Sequence, residues 1–118
     1  MSKKIEKISN YKNYDEWVAD VLCQEKNGVD EYIKVAFDEY AKDEDEKALL
    51  ITLRQAAQAN IGFKNLAKKT GLSRENLYRA LSPNGNPRFH TVSLILGALG
   101  YELKLQNQYG YRTVHSAA

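Results

Sequence analysis

Apolar positions recur along most of the chain at spacings of three and four residues, the period of an α-helix with one buried face. From Tyr14 onward, Trp17, Val18, Val21 and Leu22 fall on one stripe, with Asp15 placed to cap it and Lys26, Asn27 and Gly28 to end it. Asp30 is then placed to cap a second helix, in which Ile33, Ala36, Phe37 and Tyr40 follow the i, i+3, i+4, i+7 pattern. The acidic run Asp43, Glu44, Asp45, Glu46 opens a third, because negative charge is favoured at a helix N-terminus. Leu49, Leu50, Leu53, Ala56 and Ala57 supply its buried face, and it ends near Asn60, Ile61 and Gly62.

Residues 63–81, FKNLAKKTGLSRENLYRAL, predict two short helices joined by a tight turn. The first sets Leu66 and Ala67 against Lys64, Lys68 and Lys69, then stops at Gly71, the residue that adopts a left-handed helix end at least cost. Ser73 is a good N-cap for the second helix, and Glu75 lies in its first turn against the positive end of the dipole. Leu77, Ala80 and Leu81 form its inner stripe, leaving Arg74, Glu75, Asn76, Tyr78 and Arg79 outward. Such a pair is either a plain helical hairpin or a helix-turn-helix unit whose second helix enters a DNA major groove.

After Leu81, the run SPNGNPRFHT forces a loop; Thr91 is placed to cap a helix through Val92, Leu94, Ile95, Leu96, Ala98 and Leu99, stopped by Gly100. Phe89 is expected in the core. Beyond it the period changes to two: Tyr101, Leu103 and Leu105 alternate with Glu102, Lys104 and Gln106, the pattern of a half-buried β-strand. A lone strand needs a partner, either the same strand of a second copy or the segment near Ile5 and Ile8, and a homodimer through residues 101–105 is the expectation. The predicted class is therefore all-α with one short C-terminal strand. Residues 1–13 form an arm, 14–59 an N-terminal helical region, 60–106 the helix-turn-helix region packed with it as one domain, and 107–118 a tail.

Composition narrows the functional classes. At 118 residues the chain suits one domain, and no apolar run reaches the roughly 18 residues of a membrane span. The basic N-terminus has no apolar segment behind it, so a cytoplasmic protein is expected. A single Cys23 and two histidines, His90 and His115, predict neither a disulfide nor a metal site, and Cys23 in the run Val21-Leu22-Cys23 is expected as a small buried side chain. No nucleophile–base pair or phosphate loop is visible, so neither an enzyme nor a cofactor is expected.

The net charge of +2 conceals a division. Residues 1–59 hold nine Lys/Arg against thirteen Asp/Glu, a net of −4; residues 60–118 hold eight against two, a net of +6. A basic half containing the two short helices suits a phosphate backbone, and an acidic half suits a basic protein partner.

The segments Leu66-Ala67, TGLSRE at 70–75, LYRALS at 77–82, Gly85-Asn86-Pro87, Phe89, Thr91 and Ala98-Leu99-Gly100 resemble the addiction-module antidote proteins, HigA-like antitoxins with a lambda-repressor/Cro-type DNA-binding domain. YDEWVADVL and DEYIKVAFDEYAKD upstream are also similar to that family, so the resemblance covers roughly three quarters of the chain. It implies a five-helix repressor-like fold with extra N-terminal helices. It further implies a protein that neutralises a small basic toxin of the RelE/ParE superfamily and represses its own operon at an operator. The alternative is a stand-alone, phage-type regulator without a toxin.

On this resemblance, base contacts fall to Arg74, Glu75 and Arg79 with Asn76 and Tyr78 adjacent, since arginine pairs with guanine, glutamate accepts from cytosine and asparagine pairs with adenine. The rival reading is a solvated helix with a Glu75–Arg79 ion pair. Lys64, Asn65, Lys68 and Lys69 are candidates for phosphate contact, and Arg88 for the minor groove or backbone. For a toxin the candidate surface is Tyr14, Trp17, Val18, Val21 and Leu22, with a helix packed on its own core as the rival.

Overall fold

The computed structural model describes residues 14–107, and every regular element among them is an α-helix. In chain order these are α1 (Tyr14–Gln24), α2 (Gly28–Asp43), α3 (Glu46–Asn60), α4 (Gly62–Thr70), α5 (Arg74–Ala80) and α6 (Phe89–Ala98). The expectations for the arm at 1–13 and for the tail beyond Asn107 lie outside the described residues.

Helix α3 organises the packing, because its apolar residues face two ways. It packs against α1 and α2, and its Leu50, Leu53 and Ala57 join Phe63, Leu66, Leu77, Leu81, Ile95, Leu96 and Leu99 in one core cluster. Leu53, Leu66, Leu77, Leu81 and Ile95 are the largest side chains fully removed from water. Burial of each is worth roughly 1.5–3 kcal/mol. Val18, Ala19, Leu22 and Ile33 bury the inner faces of α1 and α2.

Several local expectations are corrected, those for Asp15, Asp30 and Cys23 because each has a partner far along the chain. Asp15 lies inside the first turn of α1, where it pairs with Arg54 of α3 instead of capping. Likewise α2 starts at Gly28, and Asp30 accepts a hydrogen bond from the Tyr101 hydroxyl across the molecule. The acidic run is split. Glu44 takes a left-handed conformation (φ 55°) that ends α2, and the Asp45 carboxylate caps α3 by accepting from the Ala48 N–H at 3.1 Å. Arg88 occupies the N-cap position of α6, so Thr91 sits within its first turn. Phe89, at the first position of that helix, is 75% exposed rather than core. Cys23 is exposed, with its thiol donating to the Ala59 carbonyl at 3.2 Å.

The expected strand is absent among the described residues. Residues 101–107 form no ladder, since among the described residues no second strand lies beside them to pair with. Tyr101 is held by its N–H to the Leu96 carbonyl at 2.9 Å and packs on the core, whereas Leu105 is fully exposed.

Candidate nucleic-acid interface

Between α4 and α5 stand only Gly71, Leu72 and Ser73, and hydrogen bonds fix their path. Gly71, at φ 78°, returns its N–H to the Ala67 carbonyl at 2.9 Å, a conformation that costs a side-chain-bearing residue more. Thr70 Oγ1 donates to the Leu66 carbonyl at 2.8 Å and accepts from the Leu72 N–H at 3.2 Å. Ser73 Oγ then accepts from the Asn76 N–H at 3.0 Å and caps α5, as its sequence position predicts.

With Leu77 buried inside, helical geometry sends Arg74, Glu75, Asn76, Tyr78 and Arg79 to the exposed side of α5. The Arg79 guanidinium donates to Asn76 Oδ1 at 3.1 Å, so this arginine is steered by its amide neighbour and not by Glu75. Tyr78 divides its role. Its ring stacks on Phe63 at a centroid distance of 4.2 Å, and 42% of the residue stays exposed. Lys64, Asn65, Lys68 and Lys69 are exposed on α4, with the Asn65 amide donating to the Ile61 carbonyl at 2.9 Å.

The loop after α5 folds back onto that helix. Gly85 donates to the Ser82 carbonyl at 2.9 Å and lies so close to the end of α5 that a Cβ would stand 2.5 Å from the Ala80 carbonyl oxygen and 2.6 Å from that of Arg79. No larger residue fits without moving backbone. The result is an open groove lined by Asn76, Arg79, Asn84, Asn86 and Arg88 among others, which brings Arg88 to the same recess as the α5 side chains. Asn84 reads in the sequence only as a turn residue, and Asn86 as a turn residue within the Gly85-Asn86-Pro87 resemblance; nothing local marks either as a source of the amide donors and acceptors it adds to the groove. His90 is exposed and lines a separate recess with Lys69 and Ser93.

Guanidinium forks, amides and one carboxylate on an exposed helix, with ammonium groups on the helix before it, form a donor-rich surface able to meet base edges and phosphate oxygens together. The other predicted surface is more divided. Tyr14 is 63% exposed and Trp17 and Val21 are half-buried, with Tyr14 and Trp17 rings 5.4 Å apart; Val18 and Leu22 are buried against the body of the protein. Around it, residues 14–59 carry twelve Asp/Glu against five Lys/Arg.

A family model described as "Probable addiction module antidote protein" matches residues 7–107, a span that includes all six helices. The chain belongs to the addiction-module antidote family. Membership supports an antitoxin role for this antidote and implies a toxin partner. An uncharacterised protein of Haemophilus influenzae (strain ATCC 51907 / DSM 11121 / KW20 / Rd) is 34% identical to the antidote over 77 residues, covering 65% of this chain and 78% of the relative. No solved structure matches it. Among the described residues of the antidote, no helix is long and apolar enough to cross a membrane.

Proposed function

We propose that this antidote neutralises a small basic toxin of the RelE/ParE superfamily by direct binding and represses its own operon by binding operator DNA through α5. The DNA reading is carried by one observation: Arg74, Glu75, Asn76 and Arg79 stand exposed together on a short helix fixed by a capped three-residue turn. In this reading α4 and α5 act as a helix-turn-helix, with Arg74 and Arg79 donating to guanine edges and Glu75 and Asn76 meeting neighbouring bases. Tyr78, stacked on Phe63, buttresses the helix and offers its edge to the backbone. Lys64, Asn65, Lys68, Lys69 and Arg88 contact phosphates on either side.

The toxin reading is supported by the family and by the acidic character of the α1–α3 layer. Contact is centred on Tyr14 with the exposed parts of Trp17 and Val21, while Val18 and Leu22 hold that surface from behind. Expression of the neighbouring reading frame tests this reading. A toxic product that co-purifies with the antidote, and whose growth arrest the antidote relieves, is the expected result. A chain that shifts its upstream DNA but captures no neighbouring product is a stand-alone regulator instead.

A further inference from the structure

Helices α2 and α3 enclose between them a groove of about 280 Å³ whose two ends differ. Tyr32 stands at one end, Val35, Ala36 and Leu49 give it an apolar floor, and Asp43 and Asp45 close the other. Val35, in the middle of α2, is 53% exposed, an apolar side chain left in water beside a recess. Glu39 adds a third carboxylate to the lining, and among the described residues no Lys or Arg lines it. The Asp43 and Asp45 carboxylates each accept a backbone N–H, from Asp45 at 2.9 Å and from Ala48 at 3.1 Å, bonds to neutral donors that cancel neither charge. Glu39 has Lys42 Nζ at 3.8 Å, an exposed pair worth little.

We propose that this groove seats the chain's own residues 3–12, which precede the described part. Lys3, Lys4, Lys7 and Lys12 against Glu6 give residues 1–13 a net charge of +3, with Ile5 and Ile8 among them. That segment enters at the Tyr32 end. Asp15, at the start of α1, accepts from the Gln55 amide at 3.0 Å, and Gln55 Oε1 accepts from the Tyr32 hydroxyl at 2.5 Å, so α1 begins beside the tyrosine that opens the groove. The order of chemistry then matches. Counting back from Tyr14, the isoleucines come before Lys4 and Lys3; moving along α2 from Tyr32, Val35 and Ala36 come before Glu39 and Asp43. Ile8 and Ile5 thus cover the apolar floor while Lys4 and Lys3 meet the acidic end, and the charges fix the direction in which the segment lies. Reach is sufficient: the groove runs about 16 Å from Tyr32 to Asp43 at 1.5 Å per helical residue, and the chain from Tyr14 back to Lys3 spans up to about 36 Å. Tethering favours this occupant over a free one, since a short link gives an effective concentration on the order of millimolar. The residues after Asn107 are the poorer match, with Arg112 as their one Lys or Arg. The inference stands without the antitoxin reading; a basic partner of the α1–α3 layer meets this groove already filled.

Paramagnetic broadening in the full chain tests the assignment. In a Cys23→Ser background, where the hydroxyl can donate to the Ala59 carbonyl as the thiol does, a nitroxide attached through Ser2→Cys is expected to broaden the backbone amides of residues 43–48 at the acidic end. Val35→Lys, at an exposed position, and the double variant Lys3→Glu/Lys4→Glu are each expected to abolish that broadening with the helical circular dichroism unchanged. Isotope-labelled chain without nitroxide, mixed with unlabelled chain that carries it, is expected to show none. Broadening confined to amides around Tyr14 and Tyr32 overturns the proposal. So does broadening at 43–48 that either variant leaves intact, or broadening in the mixed sample, which comes from a second copy.

Discussion

Asp15 accepts from Arg54 Nε at 2.7 Å and Nη2 at 3.2 Å and from the Gln55 amide at 3.0 Å, so one carboxylate ties α1 to α3. Gln55 is buried, and its Oε1 accepts in turn from the Tyr32 hydroxyl of α2 at 2.5 Å. Asp15→Ala leaves a cation and an amide without their acceptor, and is expected to lower stability by about 1–3 kcal/mol, the pair being only partly buried. Urea denaturation measures it. Tyr101 makes a pH prediction. Burial and then the adjoining Asp30 carboxylate hold its hydroxyl protonated, pushing its pKa from 10.0 up to about 12. A pKa raised on folding contributes stability that is complete below about pH 10 and is lost as pH rises towards about 12. The melting temperature therefore falls across that alkaline window, and Tyr101→Phe shows a smaller fall. Arg79→Ala removes an exposed side chain and is expected to weaken operator binding by about 1–3 kcal/mol with the helical circular dichroism unchanged, read by fluorescence anisotropy.

At the scale of elements, α5 is a seven-residue helix whose start depends on the Ser73 cap. Ser73→Ala is expected to cost about 1 kcal/mol of stability, a fall of roughly 4–8 °C in a domain of this size. Gly71→Ala meets no neighbouring atom within 4 Å, so its cost is conformational alone, about 1–2 kcal/mol for a left-handed residue. Thermal denaturation compares the two. Periodicity made the helices legible, because Leu50, Leu53 and Ala57 repeat at helical spacing, as do Leu77 and Leu81, and all are buried. The cap of α5 was legible as local chemistry at Ser73, whereas the acidic run marked the start of α3 without singling out Asp45 as its cap. Asp15 and Asp30 were misread as caps because their partners, Arg54 and Tyr101, are 39 and 71 residues away. No local pattern encodes such a pairing. The strand was misread for a related reason: alternation reports which side chains share a face, and a strand also needs a second backbone. The row of α5 side chains was legible from its spacing, whereas the fold-back at Gly85 that adds Asn84, Asn86 and Arg88 was not.

Across the whole molecule, charge follows the elements. Residues 14–59 are acidic, and residues 60–107 carry seven Lys/Arg against two Asp/Glu. The core cluster that α3 shares with α4, α5 and α6 joins the two regions mechanically, so a partner held on the α1–α3 layer is carried on the same body as the α5 surface. Basic side chains on α4 and in the α6 approach predict that DNA affinity falls steeply with salt, by an amount set by the number of phosphates neutralised. Variants of Lys64 or Lys68 are expected to reduce that slope by about one each without altering sequence preference. The most direct measurement is fluorescence anisotropy of the antidote on its own upstream DNA and on a scrambled duplex, repeated with the Arg74→Ala/Arg79→Ala double variant at several salt concentrations. The expected result is a strong preference for the upstream sequence that the double variant loses while remaining folded. Equal affinity for both duplexes, or a double variant that binds upstream DNA as the unaltered protein does, contradicts the assignment of α5 to DNA.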